Sequence, residues 1–522
     1  MTDDTLLVPD GPWQAFQDGV AAVAAGQLGD EAFKAARLGV GAHRQRGGSG
    51  YMVRVRIPGG RLSLEQWRAV AEVVRDASAS QRVHLTLRQD LQVYDVPLPS
   101  LATAVGALRE RGLSTYSSGG SSVRNLTAGV LADLEEGLPF DPYPYAAALS
   151  ARLSRSPLFN GLPRKFKIGF AGPLHEQAQA WFNDLGFVPR LLDGRRGFRV
   201  LGGGGLGASP QSASELEDFL PATRLAAYTE AALDLFNALS PRDQPLSNRF
   251  KFLIRKLGLD AVRSQIRQRT EGKPDLADPA AGALGAAGAC LWIEAAQGDM
   301  SAAQMLELGA LLEGAGAQEL RISLDQRVLA PGVAAEAAEA ALAPIQALGL
   351  GASLLRKTAR RVVCAGPDTC NRGLVNSKAL GKALDAAGVE LPVSLHISGC
   401  QNGCSQHLIA PLSLQGVVQN GPQGRRPAYL LRSGQGIQGH GLSFGGLLGT
   451  IPARRVPQAL AALLAAWKQD QCTRPLDAWL RAKGLAGLAP ILAAVPEDAE
   501  AEAMDWGSEQ PFSVALEGSE CH

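Results

Sequence analysis

Several things are scarce in this chain. No run of 18 or more apolar residues interrupts it, so no membrane-spanning helix is expected. Net charge is nearly absent: 51 basic residues face 50 acidic ones, leaving +1, which excludes the concentrated positive field of a nucleic-acid binder. Cysteines number 7, too few and too bunched for a disulfide framework. The opening residues, Met1-Thr2-Asp3-Asp4, lack the basic and apolar stretches of a secretory signal, so an unexported, cytoplasmic protein is expected. Lysine is rare too, 11 against 40 arginines. With so much Ala and Gly, that bias reads as a GC-rich genome, and an arginine carries meaning only through its position.

What is present suffices for ordinary cores. Apolar residues make up 46% of 522, which at roughly 100–200 residues per domain predicts three or four domains. Residues 1–45 read as a helical lead-in. Alternation over residues 52–57 predicts a strand, and residues 63–77 predict a helix capped by Ser63 with Gln66 three positions on. Strands at 83–88 and 91–96 and a helix at 98–111 complete the unit. The pattern then recurs: residues 60–67 align with 298–305, and 85–89 with 322–326, a duplication expected to form a pseudo-two-fold. Arg88 becomes Asp325 in the second copy, so only the first keeps a basic face. The expected domains are 46–113 and 290–353 for the repeats, 114–270 and 354–490 for two α/β lobes, 271–289 for a linker and 491–522 for a tail. From Glu497 onward the tail holds eight acidic residues and no Lys or Arg, and is expected to be solvated.

Four cysteines form two pairs: Cys364 and Cys370 with five residues between them, then Cys400 and Cys404 with three between them. Four soft thiolates on two loops suit one metal centre. An iron–sulfur cluster is the leading reading, with Gly366, Pro367, Gly399 and Gly403 admitting the backbone close to it. A structural zinc, inert buried thiols and a catalytic thiol stay open as alternatives. Cys290, Cys472 and Cys521 show no pairing signal.

Side chains alternate along a strand, so Lys165 and Lys167 share one face while Phe166, Ile168 and Phe170 share the other. Arg54 and Arg56 repeat this against Val53, Val55 and Ile57, and Thr86 and Arg88 against Leu85 and Leu87. Arg124 adds a cation from a Ser-rich loop. A single such face is an ordinary solvated one; together they predict a pocket for a polyanionic ligand.

With these markers the chain resembles the sirohaem-containing sulfite/nitrite reductase family, from about Gly39 to Leu485. The residues that carry the likeness are Arg54-Val-Arg56-Ile-Pro-Gly-Gly60, Leu85-Thr-Leu-Arg88-Gln89, Val123-Arg124-Asn125, Leu162-Pro-Arg-Lys165-Phe-Lys167 and the two cysteine pairs. The resemblance implies a mixed α/β (α+β), internally duplicated fold: two ferredoxin-like half-domains plus two α/β lobes that bind sirohaem and a 4Fe–4S cluster. It implies that Cys364, Cys370, Cys400 and Cys404 hold the cluster, with Cys404 bridging to the sirohaem iron. Arg54, Arg124, Lys165 and Lys167 would bind the substrate anion, with the lysines as proton donors. Arg56, Thr86, Arg88, Gln89, Asn125 and Asn402 would hold the cofactors, sirohaem's carboxylates explaining the cations.

The implied reaction is assimilatory six-electron reduction of sulfite to sulfide. Ferredoxin-dependent reduction of nitrite to ammonia is the alternative, and a precorrin-3B synthase-like oxygenase a more distant one. Nitrite-reducing relatives tend to carry Asn where Lys167 stands, which favours sulfite. Gln401 replaces a usual Pro, and Gly41 and Gly129 stand where some members cross-link a Tyr to a Cys, so no such cross-link is expected. The glycines of residues 201–207 lack the acidic partner of a dinucleotide fold, so electrons are expected from ferredoxin or a separate flavoprotein. No nucleic-acid or membrane partner is implied.

Overall fold

In a computed structural model, residues 7–48, 50–244, 247–279, 288–357, 359–439, 441–471 and 473–514 are described. The chain forms two compact units. One comprises Met1–Gly205 and Gln211–Leu355, the other Leu206–Pro210 and Arg356–Ser519. Among the described residues no helix is long and apolar enough to cross a membrane. Cys472 and Cys521 lie outside the described residues.

The first unit contains the duplication. One five-stranded sheet runs Ala42–Arg44, Tyr51–Val55, Leu91–Val96, Arg82–Leu85 and Asp299–Ser301. Its counterpart runs Gly351–Ser353, Ala289–Glu294, Arg327–Val333, Glu319–Ile322 and Arg61–Ser63. Each sheet thus takes its last strand from the other repeat, which alignment of the two copies did not predict. Both helices that follow the exchanged strands, Leu64–Ala77 and Ala302–Gly314, open on a complete capping box, Ser63 with Gln66 and Ser301 with Gln304. The tight turns match as well. Thr86 N–H donates to Asp90 O at 3.0 Å and Ser323 N–H to Arg327 O at 2.9 Å, with Gln89 and Gln326 both at positive φ. Apolar side chains of both repeats form one core.

A third sheet follows in the same unit: Ser214–Pro221, Arg195–Gly202, Leu185–Leu192, Ile168–Phe170 and Thr127–Ala128. Its core is phenylalanine-rich, with Phe166, Phe170, Phe187, Phe198, Phe236 and Phe250 in mutual ring contact or neighbouring it. The strand expected around the paired lysines is shorter than its alternation suggested. Only Ile168–Phe170 is regular, and Phe166 joins by a single bridge to Val123, yet Phe166 is buried and both lysines are half-buried as the pattern requires.

The second unit repeats this third sheet. Arg361–Val363, Leu395–Ser398 and Leu412–Gly421 run parallel, then Gly424–Ser433 and Gly446–Pro452 turn back antiparallel. Thr127–Ala128, Ile168–Phe170, Leu185–Leu192, Arg195–Gly202 and Ser214–Pro221 have the same succession. Each sheet is followed by a single tight turn, Ala222–Arg224 or Ala453–Arg455, and then a long helix, Leu225–Leu239 or Val456–Gln469. The α/β lobes are therefore a second duplicated pair.

Two expectations about connecting segments need correction. The tail is solvated over residues 496–500 and 509–511 but is anchored between them. Trp506 Nε1 donates to Ala453 O at 2.7 Å, Arg454 Nη2 to Asp505 O at 2.8 Å, and Glu502 pairs with Arg426 and Arg455. Apolar Trp506 and buried Glu502 anchor it where a count of charges shows only acidity; residues beyond 514 lie outside the described ones. The first part of the linker is held too, by Leu276 N–H to Thr223 O and by Asp278 to Arg196; residues 280–287 lie outside the described ones.

Candidate active site

Arginines converge where the first repeat meets the phenylalanine-rich lobe. Strand Tyr51–Val55 carries Arg54, and Arg56 follows, its backbone bridging to Ser114. The Ser118 carbonyl accepts from both Arg54 Nη1, at 2.8 Å, and Arg124 Nη1, at 2.6 Å, while Gly120 O accepts from Arg124 Nη2. One carbonyl thus sets two guanidiniums side by side. Arg56 is buried against the Phe159 ring and donates to Val123 O at 2.9 Å, but its Nε and Nη2 have no partner. Arg88 leaves the tight turn to reach Asn183 Oδ1 and Asn125 O, with its Nε unpaired. Asn125 Nδ2 spans Ile57 O and Arg88 O, leaving Oδ1 unpaired.

The charge balance is one-sided. Burial and the neighbouring guanidiniums pull Arg56 and Arg88 down to about 10. Asp90 is the carboxylate that these residues enclose; burial raises it, against the fields of Arg54, Arg56, Arg88 and Arg124. Each buried polar atom left without a partner costs about 1–3 kcal/mol. The unpaired atoms of Arg56 and Arg88 are donors, so a bound group rich in carboxylates fits them, whereas Asn125 Oδ1 is an acceptor and calls for a donor. Thr86 Oγ1 accepts from Arg88 N and Asp90 N and fixes the turn from which Arg88 projects.

Lys165 and Lys167 flank Phe166, whose backbone accepts from Arg124 N at 2.9 Å and donates to Ser122 O. The lysine pair is therefore laid against the chain that carries Arg124. Lys167 N donates to Asp184 Oδ2, and Arg249 pairs with the same buried carboxylate at 2.7 Å.

Gln89 departs from its expected role. Its Nε2 donates to Ala128 O at 2.9 Å and Ile322 O at 3.0 Å, with Gly59 O further off, and its Oε1 accepts from Ala128 N. The amide is used up in joining the first repeat to the second and to the lobe. Gln326 mirrors it by donating to Leu85 O. Sequence reasoning also passed over Lys251. It lies on Phe250–Leu257 with Nζ 3.4 Å from where a Cβ on Gly205 would stand, and burial with Arg249 and Arg255 lowers it to about 8. Its only signal in sequence is the rarity of lysine.

In the second unit the cysteines sit at the carboxyl ends of parallel strands, the usual ligand edge of such a sheet. Cys364 follows Arg361–Val363, and Cys400 follows Leu395–Ser398 by one residue. Gly399 N donates to Cys364 Sγ at 3.1 Å, and Ser377 Oγ lies 3.4 Å from it. Arg372 N approaches Cys370 Sγ at 3.5 Å. The Asn402 backbone N–H faces Cys400; the Asn402 side chain is exposed. Burial, with Cys404 and Cys364 nearby, pushes the Cys400 thiol up to about 12. Cys404 is exposed.

Backbone N–H groups aimed at sulfur are what a thiolate cluster requires. A tetrahedral zinc would draw its sulfurs to about 2.3 Å from one point. Among the described residues no three His, Cys, Asp or Glu converge closely enough to hold a single metal ion. The glycines serve another purpose than expected. A Cβ at Gly366, Gly399 or Gly403 would strike Ser377 Oγ, Val375 O or Leu206 O within 2.7 Å, so they let protein loops pack on one another.

The comparisons with known proteins bear on both sites. Residues 43–111 match the nitrite/sulfite reductase ferredoxin-like half domain, and residues 119–274 match the nitrite and sulphite reductase 4Fe–4S domain. The second match falls on the lobe without cysteines, which the duplication explains, since both lobes share one fold. The chain is 28% identical over 418 residues to the chloroplastic ferredoxin–nitrite reductase of Zea mays, covering 73% of this chain and 72% of that protein. It is 29% identical over 422 residues to the sulfite reductase (NADPH) hemoprotein beta-component of Xanthomonas campestris, covering 70% and 74%. The structure of Mycobacterium tuberculosis NirA shares the fold, with TM-score 0.78 at 19% identity over 91% of this chain and 95% of that one. Interlocked half-domains, an arginine pocket short of anions and thiols at parallel strand ends are thus what two family matches and both kinds of relative lead to: this chain is an enzyme of the nitrite and sulfite reductase family, whose cofactors are sirohaem and a 4Fe–4S cluster.

Proposed function

We propose that the protein reduces sulfite to sulfide in an assimilatory role, taking six electrons singly from an external donor, a ferredoxin or a separate flavoprotein. The observation that carries the choice of anion is Lys167. Together with Lys165, Arg54 and Arg124 it gives the pocket a fourth cation, which suits a dianion better than the monoanion nitrite. Nitrite is the second reading, supported by the ferredoxin–nitrite reductases of Zea mays and Synechococcus elongatus among the relatives.

Cys364, Cys370, Cys400 and Cys404 would hold the cluster, and Arg56 and Arg88 would meet the carboxylates of the sirohaem, while Asn125 Nδ2 holds the Arg88 backbone in place. When bound, that pair of groups supplies the electrons and the site at which the anion is reduced. The chain's own residues do the rest. Arg54 and Arg124, fixed by the Ser118 carbonyl, orient the anion and offset its charge without giving up protons. Lys165 and Lys167 hold protons at Nζ, which the departing oxygens need in order to leave as water.

Steady-state turnover of both anions by the purified protein, with a chemically reduced donor, tests the assignment. Sulfite as the better substrate, and a preference that moves toward nitrite in Lys167→Asn, is the expected result. Rapid nitrite reduction with negligible sulfide release would establish the second reading.

A further inference from the structure

Beneath the paired arginines lies a knot of buried polar atoms without protein partners. It comprises both ring nitrogens of His43 and the hydroxyls of Thr115, Ser117 and Ser118. All four residues are almost wholly buried, His43 at 3% exposure. They are also close together. The His43 ring lies against Gly119, where an added Cβ would stand 1.9 Å from Cε1 and 2.3 Å from Nε2. A Cβ on Gly41 would stand 2.5 Å from Ser118 Oγ. Arg56 Nη1 reaches Ser117 O at 3.3 Å. Strand register sets His43 opposite Met52, on the face that carries Arg54 two residues further on, and Arg54 N donates to Gly41 O. The same short loop supplies the Ser118 carbonyl that holds Arg54 and Arg124.

Buried hydroxyls and imidazole nitrogens rarely go unsatisfied, and where protein gives no partner, ordered water does. An apolar core at this place would cost nothing of the kind, yet the chain puts a histidine and three hydroxyl residues there. We propose that this knot is a hydrated proton path to the anion held by Arg54 and Arg124, with His43 as its relay. The inference rests on the anion-reducing reading above.

The ring acts in its neutral form. Burial and the fields of Arg54, Arg124 and Arg37 hold its pKa well below the usual range. It therefore passes protons without storing charge: one nitrogen takes a proton from a water molecule as the other releases its own toward the anion. A half-turn of the ring about its Cβ–Cγ bond then swaps the two nitrogens and restores the starting arrangement, because reversing the exchange in place would carry the proton back. For each oxygen that leaves as water, two protons come from solvent and two electrons from the external donor, and His43 is unchanged overall. Lysine protons spent at Lys165 and Lys167 are replaced from the same source.

The test uses the holoenzyme and two variants, His43→Phe, which fills the space without nitrogens, and His43→Gln, which hydrogen-bonds but does not exchange tautomers. The expected result in both is a fall in kcat of about 10–100-fold. KM for the anion, sirohaem content and iron content should stay within about twofold, and the solvent deuterium effect on kcat should rise. A crystal structure of the wild type should show waters bonded to the His43 nitrogens and to the Ser117 and Ser118 hydroxyls. Nitrogen-15 spectra of labelled histidine should show His43 neutral at pH 6. A dry knot, or unchanged kcat and isotope effect in both variants, overturns the proposal. Should His43→Phe fail to fold, Ser117→Ala/Ser118→Ala carries the same expectation, and unchanged kcat there overturns it equally. A wild type that reduces neither anion defeats the parent reading, while the waters and the histidine spectrum still decide the hydrated knot on their own.

Discussion

Replacing Gln89 with methionine separates a structural tie from a cofactor ligand. The substitution keeps the length of the side chain and removes both ends of its amide. Ala128 N–H loses its acceptor in a fully buried place, at about 1–3 kcal/mol, and two good hydrogen bonds, to Ala128 O and Ile322 O, vanish at about 0.5–1.5 kcal/mol each. The expected loss is about 2–6 kcal/mol, a fall of roughly 5–10 °C in the melting transition of the first unit. Differential scanning calorimetry of the purified protein reads it, with sirohaem content measured on the same sample by its absorption. Gln326→Met is the internal comparison. Gln326 donates to Leu85 O and lies 3.2 Å from a His84 nitrogen, so its loss should be smaller. An unchanged transition in Gln89→Met with depleted sirohaem would refute the reasoning and restore Gln89 as a ligand of the macrocycle.

Other outcomes are expected from the same structure. Cys364→Ser should remove about four irons per chain and the labile sulfide by elemental analysis, since the loss of one thiolate opens the cluster. Asp505 is raised by burial from 3.8 to about 6, so its stabilising protonated form is fully present below pH 4 and lost as pH climbs through 6. Asp505→Asn should therefore raise the melting temperature progressively from pH 4 to 6 and by a constant amount above, corresponding to about 2–3 kcal/mol. No pH dependence of the difference would contradict that account. Lys251→Met should relieve a buried charge yet lower sirohaem occupancy; unaltered occupancy by absorption would show that Lys251 does not face the macrocycle.

Local signals in the sequence translated directly into structure. The two capping boxes were legible because a capping box is written in four consecutive residues, Ser63 to Gln66 and Ser301 to Gln304. The cysteine pairs stood out in sequence through their close spacing, and the structure sets Cys364 and Cys400 just past the ends of adjacent parallel strands. The basic face of Lys165 and Lys167 was legible because burial alternates even where the strand is too short to be regular, whereas Arg56 is buried like its apolar neighbours. Long-range features were not. Nothing in residues 61–63 or 299–301 announces that each strand pairs in the other repeat's sheet, since three-residue strands have no period to read. The lobes' duplication survives in topology, while its sequence trace shrinks to Pro221-Ala222-Thr223-Arg224 against Pro452-Ala453-Arg454-Arg455. The backbone bonds of Gln89 were not legible because a side chain's type does not tell which of its neighbours are backbone. The tail was misjudged because charge counting gives no weight to a single Trp506.

The exchanged strands have a consequence for synthesis. Arg82–Leu85 is the edge of its sheet until Asp299–Ser301 arrives, more than two hundred positions later on the ribosome. For all that time the growing polypeptide displays a bare hydrogen-bonding edge of the kind that recruits foreign strands. Fragments ending before residue 299 should thus be sticky and dependent on chaperones, and the two ferredoxin-like halves should mature as a single cooperative event or not at all.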